Sequence, residues 1–135
     1  MIRLLRPEDI DAVISLWNEA GLLRPWNDPV LDIERKLSQG DDLFLVAELD
    51  DTIVGTAMVG YDGHRGWVNY LAVVPDLRAR VIGRELMSEA ERRLIQLGCP
   101  KINLQIRSEN RSAISFYQRL GYQVDDVVGM GKRLD

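Results

Sequence analysis

The chain has 135 residues, of which 46% are hydrophobic and 28% are charged, and its net charge is −4. A chain of this size buries about two-thirds of its unfolded surface, so we expect a single domain over residues 1–135, and the acidic balance argues against a general nucleic-acid binder. One cysteine excludes an internal disulfide, and no apolar run approaches the roughly 20 residues that span a bilayer, so we expect a cytoplasmic protein without a membrane partner.

The first half of the sequence predicts three strands and two helices before a turn-rich region. Residues 2–6 predict a short strand, and Pro7 suits the first turn of a helix that ends near Gly21. Asp28 is typical of an N-cap, so a second helix should run to about Gly40. Residues 43–49 and 52–61 then predict two strands that a tight turn joins.

The second half predicts a strand over residues 67–74, a long helix from about Ile82 to Leu97 and a strand over residues 102–106. A short helix follows, and the last two strands should lie within residues 122–134. The element order β-α-α-β-β-β-α-β-α-β-β predicts an α/β (α+β) fold. Its central sheet should be mixed, mostly antiparallel and of six to seven strands, with about four helices.

One tyrosine lies on the apolar stripe of the short helix near the C-terminus. Ala113, Phe116, Tyr117 and Leu120 are spaced at i, i+3, i+4 and i+7, which places them on one helical face. Gly121 is the expected helix stop, because a residue without Cβ adopts the left-handed conformation easily. A phenol on this face is either a core tyrosine with a satisfied hydroxyl or a proton donor in a cleft.

The segment between the strand at residues 67–74 and the long helix has the features of an anion site. Backbone N–H groups at a helix start are unpaired and bind a pyrophosphate well. Arg78, Arg80 and Arg84 add local positive charge, although the same arginines also suit a solvated surface. Val81 would be strained by about 1–3 kcal/mol if its φ were positive, and it is tolerable if the backbone there is helical.

Other reactive residue types give weaker signals. His64 is the only histidine and lies in a predicted hairpin turn, where an exposed residue is expected more often than a substrate contact. Cys99 lacks a neighbouring histidine in sequence and is expected to be a small buried side chain rather than a nucleophile. No histidines, cysteines and acids occur at metal-ligand spacing, so we expect no metal site.

The run from Asn110 to Tyr122, Asn-x-x-Ala-x-x-Phe-Tyr-x-x-Leu-Gly-Tyr, resembles the last conserved motif of the GNAT superfamily. Members of this superfamily are acetyl-CoA-dependent N-acetyltransferases. The resemblance implies the GNAT fold over essentially the whole chain, with acetyl-CoA as the acetyl donor and an amine as the acceptor. It also implies that Tyr117 protonates the departing CoA thiolate and that Asn110 lies against the cofactor. The alternative is a non-catalytic acyl-CoA-binding or interaction domain on the same fold.

The segment before the long helix resembles the family's pyrophosphate loop, Arg/Gln-x-x-Gly-x-Gly/Ala. Arg78 and Gly83 match its first and last positions, while Val81 stands where the family has glycine. The family also uses backbone N–H groups of the preceding strand to hold the thioester and the pantetheine arm. The cofactor-binding residues that the resemblance implies are Leu71, Ala72, Val73, Arg78, Ala79, Arg80, Val81, Ile82, Gly83, Arg84 and Asn110.

The acceptor side is less defined by the sequence. Asn69 occupies a position where many relatives have a glutamate base, and an amide cannot accept the proton. Asp62, His64, Tyr70 or an ordered water remain open as substitutes. Together with Asn69, the turn residues Asp62 and His64 and the loop residue Trp26 are the expected substrate contacts. The loop and the turn resemble a small bacterial YpeA-like subgroup, which implies no particular acceptor, and homodimer formation stays open.

Overall fold

A computed structural model of the chain describes residues 1–75 and 79–135, apart from the side chains of residues 79 and 80. The chain divides into two compact units, residues 1–104 and 105–135. The described elements of the first unit are β1 (Ile2–Leu4), α1 (Ile10–Glu19), α2 (Pro29–Ser38), β2 (Phe44–Leu49), β3 (Thr52–Tyr61), β4 (Gly66–Val73), α3 (Ala79–Gln96) and β5 (Ile102–Asn103), with a 3₁₀ turn at Pro7–Asp9 before α1. The second unit contains α4 (Arg111–Arg119).

The strands of the first unit form one sheet in the order β1-β2-β3-β4-β5. All neighbours pair antiparallel except β4 and β5, which are parallel, so the predicted mixed and mostly antiparallel sheet is confirmed. The turn between β2 and β3 has positive φ at both Asp50 (51°) and Asp51 (60°). Two such residues in succession match the right-handed twist of the flanking strands, which explains the tight hairpin.

Helices α1 and α3 pack on opposite faces of the sheet. Thr56 of β3 contacts Trp17 of α1. A Cβ on the neighbouring Gly55 would lie 2.9 Å from Leu86 of α3. Adjacent residues of a strand point to opposite faces, so these contacts assign one helix to each face. On the α1 face, Trp17 lies fully buried in a cluster that includes Phe44 and Ala72.

Several element boundaries differ from the sequence prediction. Helix α3 begins at Ala79 rather than near Ile82, and β5 has two residues where five were expected. Ile82, Leu86, Ala90 and Leu94 are buried as the predicted apolar stripe requires, but Leu97 is exposed because the helix ends at Gln96. Among residues 1–75 and 79–135, no helix is long and apolar enough to cross a membrane.

The prediction of six to seven strands is wrong, since the described residues form five. Residues 122–134, where two more strands were expected, have no regular secondary structure. Asp125 and Asp126 interrupt the apolar alternation of this segment, and Gly129 and Gly131 weaken a strand because they have no side chain to pack. Its large apolar side chains are more than three-quarters exposed: Val124, Val127, Val128, Met130 and Leu134.

Candidate functional site

A β-bulge interrupts β4 at Tyr70 and Leu71. Thr56 of β3 pairs with Ala72 and Met58 pairs with Asn69, so two residues of β4 face the single residue Ala57. Tyr70 has a φ of +52°, which for a bulky residue is a strained conformation that costs on the order of 1–3 kcal/mol. Such bulges re-aim side chains and are common beside active sites.

Contacts on three sides hold Tyr70 in this conformation. Its ring stacks on the indole of Trp17, with centroids 3.8 Å apart and planes 10° from parallel. The hydroxyl of Thr56 donates to the backbone carbonyl of Tyr70 (2.8 Å) and accepts from Trp17 Nε1 (2.9 Å). The backbone and the ring of Tyr70 are therefore fixed by the same two residues.

The hydroxyl of Tyr70 donates to Oδ2 of Asp32, a residue of α2, at 2.7 Å. Partial burial, and then this hydrogen bond, raise the pKa of Tyr70 above its ordinary range, so the phenol stays protonated at neutral pH. The side chain of Asp32 is 24% exposed, and its Oδ1 lies 3.7 Å from the exposed guanidinium of Arg35. The result is a carboxylate that is held in place and still reaches solvent.

Strands β4 and β5 are paired only at their first residues. Gly66 pairs with Ile102 and Trp67 with Asn103, whereas β4 continues to Val73. The side-chain oxygen Oδ1 of Asn103 is buried and has no hydrogen-bond partner among the described residues. Buried polar atoms are nearly always paired, so this acceptor requires an explanation.

The predicted cofactor residues fall into two segments of the first unit. Leu71, Ala72 and Val73 form the end of β4, directly after the bulge. Arg78 lies outside the described residues, and α3 begins with Ala79 and Arg80, whose side chains are not described. The remaining predicted residues lie in the first turns of α3. Ile82 and Gly83 are buried there, and Val81 and Arg84 are exposed.

Val81 lies within α3, so its backbone is helical and the left-handed strain considered from the sequence does not arise. Its side chain is 43% exposed. A β-branched residue in a helix costs only a few tenths of a kcal/mol relative to good helix formers. The departure from glycine at this position is therefore tolerated by the fold.

In the second unit, Asn110 is the N-cap of α4, and its Oδ1 accepts from the N–H of Ala113 at 3.2 Å. Gly121 ends the helix with a φ of +97°, as predicted. The ring of Tyr117 makes edge-on contacts with Phe116 and Tyr122, at centroid distances of 5.1 and 5.7 Å. Burial raises the pKa of Tyr117 to about 12, and its hydroxyl is therefore protonated at neutral pH.

The other predicted substrate contacts are separated in the fold. Asp62 and His64 lie in the hairpin turn before β4. There the carboxylate of Asp62 accepts from the backbone N–H groups of Arg65 (2.7 Å) and His64 (2.8 Å). These bonds lower the pKa of Asp62, which makes it a turn-forming carboxylate and a poor base. Trp26 precedes α2 and is 52% exposed, and Asn69 is exposed on β4 beside the bulge.

No sequence pattern indicated that Asp32, Trp17 or Thr56 lies near a site. Asp32 and Tyr70 are 38 residues apart, and one extra residue in a strand leaves no pattern that distinguishes it from a regular strand. The only available signal was Tyr70 as a candidate base next to the predicted cofactor strand, and its raised pKa argues against that role.

A family model described as "Acetyltransferase (GNAT) family" matches residues 10–122. The chain belongs to the GNAT acetyltransferase family. It is 53% identical to an acetyltransferase of Pectobacterium atrosepticum, over 98% of this chain and 94% of that protein. It is 54% identical to an acetyltransferase of Sodalis glossinidius over the same shares of the two chains. The predicted family and acetyltransferase activity are thereby confirmed.

Solved structures of acetyltransferases share the fold. The PaiA N-acetyltransferase of Thermoplasma acidophilum, solved in complex with coenzyme A, superimposes with a TM-score of 0.80. The two are 26% identical, and the alignment covers 96% of this chain and 92% of that one. The aminoglycoside acetyltransferase AAC(6')-Iy has a TM-score of 0.79 at 20% identity, covering 98% and 97% of the two chains, which shows the fold alone. As a GNAT acetyltransferase, the chain uses acetyl-CoA as its acetyl donor, as predicted.

Proposed function

We propose that the chain transfers the acetyl group of acetyl-CoA directly to a primary amine of a small molecule or protein in the cytoplasm. Family membership and the CoA-bound structural neighbour support the donor half of this proposal. The observation that carries the catalytic half is Tyr117, a tyrosine on the apolar side of its helix whose pKa is raised to about 12 by burial. Homodimer formation stays a prediction.

In the proposed reaction the amine nitrogen attacks the thioester carbonyl carbon, the new N–C bond forms and the C–S bond breaks. The thiolate takes the proton of the Tyr117 hydroxyl, and the tyrosinate recovers a proton from solvent. An amine that binds as an ammonium therefore yields the amide, free CoA and one proton. The ordinary pKa of a phenol, about 10, is close to that of a thiol. Burial raises the pKa of Tyr117 to about 12, so the donation is uphill and is completed when solvent returns a proton to the tyrosinate.

The end of β4 supplies donors suited to the thioester. Successive N–H groups of a strand alternate between its two edges. The N–H of Val74 donates to the carbonyl of Val54 in β3 (2.9 Å). The N–H of Val73 therefore points to the opposite edge of β4, where β5 no longer pairs with it. Fixed N–H donors stabilise the oxyanion that forms when the amine attacks. We assign the segment Leu71, Ala72 and Val73 to this role, with the N–H groups of Leu71 and Val73 as the donors.

The start of α3 supplies the second part of the donor site. N–H groups in the first turn of a helix favour a pyrophosphate, and Gly83 is buried there without a side chain to crowd a ligand. Because the backbone of Val81 is helical, the strain of a positive φ, which would have argued against cofactor binding, is absent. Tolerance of Val81 supports cofactor binding, which an enzyme and an acyl-CoA-binding domain share, and turnover separates the two.

A thiol-release assay over a panel of primary amines tests the proposal. We expect wild-type turnover with at least one amine and a 10²–10⁴-fold lower kcat for Tyr117→Phe, with acetyl-CoA affinity unchanged by calorimetry. Phe116→Leu, a change on the same helix that keeps the phenol, is the matched control and should retain kcat within a few-fold. Acetyl-CoA binding without turnover on any amine would favour the non-catalytic alternative, and full activity in Tyr117→Phe would remove the acid role.

A further inference from the structure

The α1–α2 face of β4 and β5 collects polar groups at the point where the two strands part. A Cβ on Gly66 would meet Leu94 of α3, so Gly66 faces α3 and the next residue, Trp67, faces α1 and α2. Asn103 pairs with Trp67 and shares its face. The bulge turns Tyr70 to this face too, where its ring meets Trp17.

Asn103 presents a buried carbonyl oxygen on this face, and no group in the described part of the chain donates to it. A lone buried acceptor destabilises a fold unless something donates to it, and a carbonyl oxygen accepts only from N–H or O–H groups. Its partner in β4, Trp67, lies four residues before Leu71, where the segment that we assign to the thioester begins. A bound donor group would complete its hydrogen bonding.

Asp32 presents a negative charge from the helix above the same face. The bond from Tyr70 fixes its Oδ2, and Tyr70 is itself fixed by its stack on Trp17 and by Thr56. The neighbouring cation, Arg35, is 3.7 Å away and 67% exposed, an arrangement that contributes little as an ion pair. The carboxylate is therefore oriented by the protein, and the exposed Arg35 is a weak partner that a ligand cation can replace.

We propose that Asp32 and Asn103 are acceptor-binding residues and that the acceptor is a primary alkyl amine carrying a second amine group. The ammonium of one end pairs with the Asp32 carboxylate, and an N–H of the acceptor donates to Asn103 Oδ1. A carboxylate and a carbonyl oxygen together select a ligand rich in N–H donors and positive charge. Tyr70 is a positioning residue that orients Asp32. This inference rests on the proposed function, since it names the substrate class of that reaction.

The test compares 1,4-diaminobutane with n-butylamine, which has the same chain without the second amine. We expect wild type to have a KM at least 10-fold lower for the diamine. In Asp32→Asn this preference should disappear, with kcat changed less than KM and the acetyl-CoA KM unchanged. Glu34→Gln, which removes one charge from an exposed position of the same helix, should keep the preference. Equal KM values in wild type, or a preserved preference in Asp32→Asn, would overturn the proposal.

Asn103→Leu provides a second readout. A residue with a structural role loses stability when it is replaced, whereas removal of an unpaired buried acceptor should leave the melting temperature unchanged or higher. We therefore expect an unchanged or higher melting temperature together with a KM for the diamine at least 5-fold higher. A lower melting temperature with unchanged KM would contradict the assignment of Asn103.

Calorimetry separates the failure of this inference from the failure of the proposed function. Diamine is titrated into the protein with saturating CoA, which needs no turnover. Binding that Asp32→Asn weakens at least 10-fold supports the subsite even if no amine is acetylated, in which case only the proposed reaction fails. Absence of diamine binding to wild type, with turnover on other amines, overturns the subsite and leaves the proposed function intact.

Discussion

The β4 bulge and helix α4 each hold a tyrosine in its protonated form, but by different means. Tyr70 is fixed by a stacked indole and by a hydrogen bond that it donates to Asp32. Tyr117 has its pKa raised to about 12 by burial alone. A hydroxyl whose proton is committed to a carboxylate is suited to orienting that carboxylate. Burial raises the pKa of a hydroxyl without directing its proton to a neighbouring group, so the proton can be aimed at a bound acceptor, although its loss leaves an unfavourable buried charge.

The two environments should also differ in what they contribute to stability. The Tyr70 region is built on the buried core of the first unit, while none of the residues of α4 around Tyr117 is fully buried. Disruption of the first should therefore destabilise the protein more than disruption of the second.

The largest expected effect is that of Trp17→Ala. Trp17 is fully buried and supports the ring of Tyr70, so its truncation should lower the free energy of unfolding by about 3–5 kcal/mol. Phe116→Ala, beside Tyr117, should cost less than half as much because Phe116 is only partly buried. Urea unfolding measures both, and equal losses would contradict the contrast between the two regions.

Thr56→Val tests whether the hydroxyl of Thr56 holds the backbone of Tyr70 in place. The substitution leaves Trp17 Nε1 as a buried donor without its acceptor and releases the Tyr70 carbonyl. The unsatisfied donor should lower the free energy of unfolding by about 2 kcal/mol. Thr52→Val, at an exposed end of the same strand, should change it by less than about 0.5 kcal/mol. Similar losses of unfolding free energy in the two valine variants would show that the hydrogen bonds of Thr56 do not stabilise this region.

The smallest expected effect is a pH dependence from Tyr117. Its pKa rises from 10.0 to about 12 on folding, so the stabilisation is complete below pH 10 and is lost as the pH rises toward 12. At pH 11 the wild type should have lost about 1 kcal/mol of stability relative to Tyr117→Phe, compared with pH 8. Thermal unfolding of both proteins at the two pH values measures this, and parallel losses would mean that burial does not shift the phenol.

The parts of the fold that follow a short-range pattern could be predicted from the sequence. Asn110 and Gly121 bound α4 because capping and left-handed backbone depend on the residues at the helix ends. The hairpin at Asp50 and Asp51 and the apolar stripe of α3 follow from equally local rules. The family resemblance depended on one such local motif.

The parts that depend on long-range contacts could not be predicted. The bulge at Tyr70 depends on how β4 pairs with β3, and the bond to Asp32 joins residues from different elements. For Val81 the sequence left two backbone conformations open, and the extent of α3 decides for the helical one. The final strands were expected from apolar content, but strands require a partner ladder, which composition does not specify.

The extra residue in β4 also determines which face of the sheet each later side chain of the strand points to. Ala72 belongs to the cluster around Trp17, and this requires the strand to be one residue longer here than its neighbour. Without the bulge, the same residues in a regular strand would exchange the faces of Ala72 and Val73. Val73 would then clash with the indole of Trp17, and Ala72 would leave a cavity toward α3. Strand length, more than side-chain identity, therefore decides which residues meet each helix.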